Sequence, residues 1–209
     1  MTETNKFLEK INPNLLLLIG VLTILASHVS YSIDIFAWLS SVPFLLYLYQ
    51  TTGRKSRLLF PLTLIHLPAY LIWDKFKKHK NAMFLFPIVF TIMEWIQYTF
   101  MPFASWGVGA NTQSHSIVIL QSLSLFGMAG LSFLIYWVNI SIVEIVQTRK
   151  TTLLNSYLPL GFIIMVVVYG SLRLDFGKAT SKNTITVATV GTDSDISGLP
   201  FADEVTNNK

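Results

Sequence analysis

Six stretches of this chain run for 16 residues or more with almost no charge, and they decide the solvent in which it can fold. They cover residues 14–30, 35–50, 58–73, 81–100, 116–146 and 153–172, and the acids inside them are Glu94 and Glu144 alone. A helix crosses the hydrocarbon core of a bilayer with about 17–25 predominantly apolar residues. The pattern therefore predicts an all-α integral membrane protein, a bundle of about five to seven transmembrane or re-entrant segments. Composition agrees: 12% of the 209 residues are charged, about half the share in a soluble domain. The net charge of +4 does not point to nucleic acid, because the basic residues cluster at the ends of apolar runs instead of forming one face. The first run is longer than the apolar part of a signal peptide and reads as a retained helix.

Basic residues set the expected orientation. Lys6 and Lys10 place the N-terminus in the cytoplasm, and crossings at 14–30 and 35–50 return Arg54, Lys55 and Arg57 to that side, as the positive-inside rule requires. A third crossing at 58–73 would put Lys75, Lys77, Lys78 and Lys80 outside. That run contains Pro61 and Pro68, so it reads as a re-entrant or strongly kinked element that returns to the same side and is packed in protein. Segment 81–100 then leads out, 127–147 returns from about Gly127, and the helix at 153–172 exits. The expected organisation is a cytoplasmic N-terminus (1–13), a transmembrane domain (14–173) and an extracytoplasmic tail (174–209) in an inner, or plasma, membrane. In the tail, "NTITVATVGTD" (183–193) alternates like a β-strand.

Between two apolar runs lies "PFASWGVGANTQ" (102–113), uncharged yet rich in polar and small residues. Trp106 suits the headgroup level, and Gly107 permits backbone geometries closed to other residues. Asn111 and Gln113 offer neutral donors and acceptors suited to a lipid ester or phosphate oxygen. An ordinary interfacial turn fits the same residues. Glu94 is the other candidate, since an intramembrane carboxylate is by default a functional hypothesis, with Trp95 beside it and Gln121 on the following run. A carboxylate near a helix end also serves structure by reaching the interface. Ser124, Gly127 and Gly130 form a small-residue stripe that predicts close helix packing. The four histidines lack metal-ligand spacing, and no metal-protease, serine-hydrolase or phosphate-loop motif occurs, so no catalytic residue, metal or cofactor is predicted.

The order of these features resembles the membrane half of the apolipoprotein N-acyltransferase family. The similarity rests on "FAWLSSVPFLLYLY" (36–49), "FPIVFTIMEWI" (86–96) and above all residues 102–139, with Pro-Phe, Trp-Gly, Thr-Gln and a Gly-x-x-Gly-Leu-Ser-Phe-Leu run. "TITVATVGTD" is similar to the opening strand of the nitrilase-like domain that follows the membrane domain in that family. The resemblance implies acyl transfer from phospholipid to a lipoprotein, through a Glu–Lys–Cys triad in that second domain. This chain has no cysteine, so none of the triad carries over. The expectation is a truncated membrane half, inactive by itself, in which Glu94, Trp95, Trp106, Gly107, Gln113 and Gln121 shape the entrance for lipid. Two other readings stand beside it: a non-catalytic anchor for a separate nitrilase-like protein, and a small transporter-like bundle with Glu94 as its proton site.

Overall fold

A computed structural model describes residues 11–28, 33–51, 67–77, 79, 82–101, 105, 107–148 and 151–176. The expected strand at 183–193 and nearly all of the tail lie outside these residues, as do all of 58–66 and the first ten positions. Seven α-helices and no strand occur among the described residues. They are α1 (Pro13–His28), α2 (Val42–Gln50), α3 (Leu67–Phe76), α4 (Ala82–Phe100), α5 (Ile117–Leu120), α6 (Leu123–Thr148) and α7 (Leu158–Phe176). Short 3-10 turns occupy Asp34–Trp38 and Gly109–Gln113, and a single wide turn at Leu153–Tyr157 leads into α7. That turn is closed by Thr152 and Asn155, each accepting the other's backbone N–H through its side-chain oxygen.

Three helices are long and apolar enough to cross a membrane: Ala82–Phe100, Leu123–Thr148 and Asn155–Asp175. Helices α4 and α6 pack together as the central pair, and α3 and α2 close around them. Between them lies an aromatic layer in which Tyr70, Phe86, Phe90 and Tyr136 meet, mostly edge to face. The last contact, Phe90 to Tyr136, brings ring centroids within 3.9 Å. Outward faces carry Leu18, Leu22, Ile88, Ile92, Ile164 and Val168 exposed, as expected where lipid is the solvent.

The 35–50 segment, expected as a single crossing, is not one continuous helix. The segment begins as the 3-10 turn at Asp34–Trp38, bends through Ser40 and Ser41, and only then becomes α2. Nine residues make a helix about 13.5 Å long, roughly half the hydrocarbon thickness. The break follows from polar groups that hydropathy alone does not weigh. Ser40 Oγ donates to Ala37 O at 3.0 Å, and Asn139 of α6 binds the backbone on both sides of the bend.

The expected start of a crossing near Gly127 coincides with a break in α6. Gly127 has φ 64° and ψ −172°, a conformation essentially confined to glycine. The small-residue stripe therefore works differently from the close helix packing expected of it. Ser124 bonds Tyr169 at 3.0 Å and accepts from Arg173, Gly127 turns the backbone, and Gly130 leaves room for Phe126 of its own helix. Close helix approach occurs instead at Gly170, where a Cβ would lie 2.0 Å from Val118 O.

A second polar knot holds the C-terminal end of α2. Lys77 Nζ donates to Leu48 O at 2.6 Å, pairs with Asp74 at 2.9 Å and lies over the Tyr49 ring. Tyr49 in turn donates to Glu144 at 3.3 Å. A cation on the last carbonyls of a helix satisfies acceptors that have no partner within the helix.

Candidate functional site

Glu94 stands on the face of α4 that turns inward, with Phe90 one turn before it and Gln97 one turn after, all three buried. Its carboxyl is 1% exposed. One oxygen, Oε1, accepts two hydrogen bonds: from Gly109 N at 2.8 Å and from Tyr136 Oη at 2.5 Å. The other, Oε2, is buried without a hydrogen-bond partner. Ser132, one turn before Tyr136 on α6, neighbours the same carboxyl and accepts Ala110 N at 3.1 Å. Tyr136 is oriented for this bond by the Phe90 ring packed against it.

The loop between α4 and α5 is thus drawn into the bundle. Val108, Gly109, Ala110, Thr112 and Gln113 are all buried. Val108 and Ala110 pack with Ala37, Leu131 and Ile135 in a small apolar cluster of their own. Gly109 is required by space: a Cβ there would lie 2.7 Å from the Tyr136 hydroxyl and 3.4 Å from Glu94 Oε1.

Gln113 fastens the far end of the loop. Its Oε1 accepts from Trp38 Nε1 at 3.1 Å, and its Nε2 donates to Asp34 O at 3.0 Å and to Thr112 Oγ1 at 3.1 Å. Ser116 Oγ donates to Asp34 Oδ2 at 2.6 Å, and His115 Nδ1 lies 3.3 Å from Asp34 Oδ1. The 3-10 turn that replaces the start of the expected crossing therefore receives the loop. A third anchor lies further along α6. The side chain of Asn139, fully buried, accepts Ser41 N at 2.8 Å and donates to Ala37 O at 3.1 Å and Ile135 O at 2.9 Å.

The structure thus joins two of the candidates, Glu94 and Gln113, through one loop. Gln113 is completely buried and its amide is engaged by protein groups on both atoms. Gly107 sits on the exposed rim with φ 78°, a left-handed conformation that favours glycine. Asn111 is exposed too, its amide donating to Ser105 O at 2.6 Å. Trp95 faces away from the site, 47% exposed and edge-on to Phe100. Gln121 folds its amide back onto Ile117 O at 3.2 Å. Trp106 lies outside the described residues.

Tyr136, Ser132, Asn139, Trp38 and Asp34 were not among the candidates. Three of them carried a readable signal: Ser132, Tyr136 and Asn139 fall at i, i+4 and i+7, one polar stripe on an otherwise apolar helix. Trp38 and Asp34 carried none, because their partner Gln113 is 75 or more residues away.

The family model for the apolipoprotein N-acyltransferase N-terminal domain matches residues 57–141. That stretch runs from before α3 to within α6, so it includes Glu94, the whole loop, Ser132, Tyr136 and Asn139. It leaves out two stretches that carry the resemblance, 36–49 and the tail. Apolipoprotein N-acyltransferase of Rickettsia prowazekii (strain Madrid E) is 29% identical over 100 residues, 47% of this chain and 20% of that protein. The Rickettsia bellii (strain RML369-C) protein of the same name is 28% identical over 102 residues, with the same coverage. That of Borreliella burgdorferi is 26% identical over 105 residues, 50% of this chain and 20% of its own length. The matched part of the chain thus spans about a fifth of these curated relatives. No solved structure matches the chain.

Proposed function

We propose that this chain supplies the membrane domain of an apolipoprotein N-acyltransferase-like protein, which moves an acyl chain from a membrane phospholipid to the N-terminal cysteine of a diacylated lipoprotein. One observation carries the reading. The segment similar to the N-terminal domain of that family is the segment that builds the buried loop and the two helices holding it. Glu94 and Gln113 serve as its scaffold. Gly107 and Asn111 on the rim, with Trp106 beside them in the sequence, meet the arriving lipid. Trp95 and Gln121 belong to the surrounding lipid-facing surface.

In this reading the chemistry resides in a nitrilase-like partner domain, since the residues here include no cysteine to carry an acyl-thioester. The N-terminus is cytoplasmic and the loop and residues 174–209 lie on the extracytoplasmic side of the inner membrane. The broken segment at 33–51 leaves the path of the chain before α4 open to a route other than two full crossings, so orientation is tested directly. Single cysteines at Ser114 and Thr151, both exposed, report the side of each in sealed vesicles with an impermeant maleimide. Labelling of Ser114→Cys from the cytoplasmic side would overturn the orientation.

The function is tested by mass spectrometry of a diacylated lipopeptide incubated with the chain in phospholipid vesicles. The expected result is no triacylated product with the chain alone, and product when a nitrilase-like domain bearing the Glu–Lys–Cys triad is added. Product from the chain alone would sink the proposal that catalysis resides elsewhere. No product and no association with the added domain would sink the acyltransferase reading.

A further inference from the structure

We infer that Glu94 is a positioning residue that seats the 107–113 loop in the bundle through a single oxygen atom, making the loop a fixed wall of the membrane domain and not a hinged cover. The inference stands on geometry and does not depend on the acyl-transfer reading.

Two donors from different elements converge on Glu94 Oε1, Gly109 N from the loop and Tyr136 Oη from α6. Neither is a cation, so what the arrangement needs at this point is an acceptor atom, not a charge. Oε2 takes no part in holding the loop. A glutamine has the same length and keeps one such oxygen. The neighbouring Ala110 N donates to Ser132 Oγ, beside the same carboxyl, and Gln113 ties the far end to Trp38 and Asp34. Val108, directly before Gly109, is 0% exposed. A hinged cover needs an edge with few buried contacts, whereas this loop is fastened at both ends and packed in the middle.

A transporter-like role makes the opposite demand. A proton site needs an ionisable group at position 94, and glutamine would abolish it. The two roles therefore separate on one substitution.

The chain contains no cysteine, so a single Val108→Cys provides a unique thiol at a buried loop position, and Ser114→Cys an exposed reference. Maleimide labelling is followed in detergent-solubilised full-length chain, with circular dichroism and thermal midpoint as checks on the bundle. Val108→Cys is expected to react about 100-fold slower than Ser114→Cys, because reaction requires the loop to leave its seat. Adding Glu94→Gln leaves that protection within about threefold. Adding Glu94→Ala removes most of it, roughly 30-fold or more, as both donors lose their acceptor. Gly109→Ala unseats the loop with Glu94 intact and is expected to produce the same exposure, so a Glu94→Ala chain that fails to fold leaves the decision to this variant.

Equal labelling of Val108→Cys and Ser114→Cys would overturn the fixed wall. Glu94→Gln behaving like Glu94→Ala would overturn the acceptor role in favour of charge. Full protection in Glu94→Ala, or in Gly109→Ala with an intact bundle, would overturn Glu94 as the positioning residue.

Discussion

Asn139 Oδ1 accepts the backbone N–H of Ser41 at 2.8 Å across 98 residues of sequence. The same amide donates to Ala37 O, so one side chain on α6 satisfies the backbone on either side of the bend that separates the 3-10 turn from α2. Helix ends buried without such partners are costly. The bend exists inside an apolar bundle because Asn139 is there to meet it.

Replacing Asn139 with leucine keeps the branched shape and strands the Ser41 N–H, while Ala37 O keeps the Ser40 hydroxyl as a donor. Leaving a buried donor or acceptor unpaired costs about 1–3 kcal/mol, and membrane bundles recover part of that because the unfolded chain also finds partners. Asn139→Leu is expected to lower stability by about 1–3 kcal/mol, read as a fall in thermal midpoint in detergent. An unchanged midpoint would show that the bend is held by something else.

Gln113 and Trp38 should be energetically coupled. Gln113→Leu removes the acceptor for Trp38 Nε1, and Trp38→Phe removes the donor, so the double variant should cost less than the sum of the two. A coupling of about 0.5–1.5 kcal/mol is expected from unfolding of the four chains in a double-mutant cycle. Strict additivity would mean that the 3.1 Å contact contributes nothing.

Two glycines of α7 should respond in opposite ways to alanine. A Cβ at Gly170 would lie 2.0 Å from a backbone oxygen of α5, while at Gly161 it would meet nothing within 4 Å. Gly170→Ala is expected to destabilise by about 1–3 kcal/mol, as overpacking does. Gly161→Ala should be neutral or stabilise by up to about 1 kcal/mol through helix propensity. Thermal midpoints of the two variants test this directly.

Gly127→Ala isolates backbone strain. No atom lies within 4 Å of the new Cβ, so the whole cost comes from φ 64°, about 1–3 kcal/mol. The chain can relieve it by extending the helix through the break, which would swing 117–126 away from α7. Separation of 117–126 from α7 would then show as faster maleimide labelling of a cysteine placed at Val118, which packs against Gly170.

Much of this architecture could be read from residue order, and the exceptions share a cause. Apolar runs locate α1, α4, α6 and α7 because lipid imposes one rule on every residue facing it. Gly127 was legible as a boundary since the run around it is too long for one crossing. Glu94 was legible because a carboxylate among apolar residues has few explanations. The burial of the loop was not: glycine, asparagine and glutamine read as residues that face water, and only their distant partners make them interior. The division of 35–50 was hidden for the same reason. Hydropathy sums contributions residue by residue, whereas the bend depends on Asn139, whose own local setting says nothing about Ser41.

The long reach of these pairs has a consequence for how the protein is made. Ser41 leaves the ribosome 98 residues ahead of Asn139, and Glu94 leaves 42 ahead of Tyr136. At about 5–20 residues per second, the earlier member of the first pair waits about 5–20 s before its partner exists. During that interval the amide of Ser41, and later the carboxyl of Glu94, need a polar stand-in, either water at the membrane surface or the insertion machinery. The early segments cannot settle to their final depth until α6 arrives, so the order of synthesis and the order of membrane assembly are necessarily different.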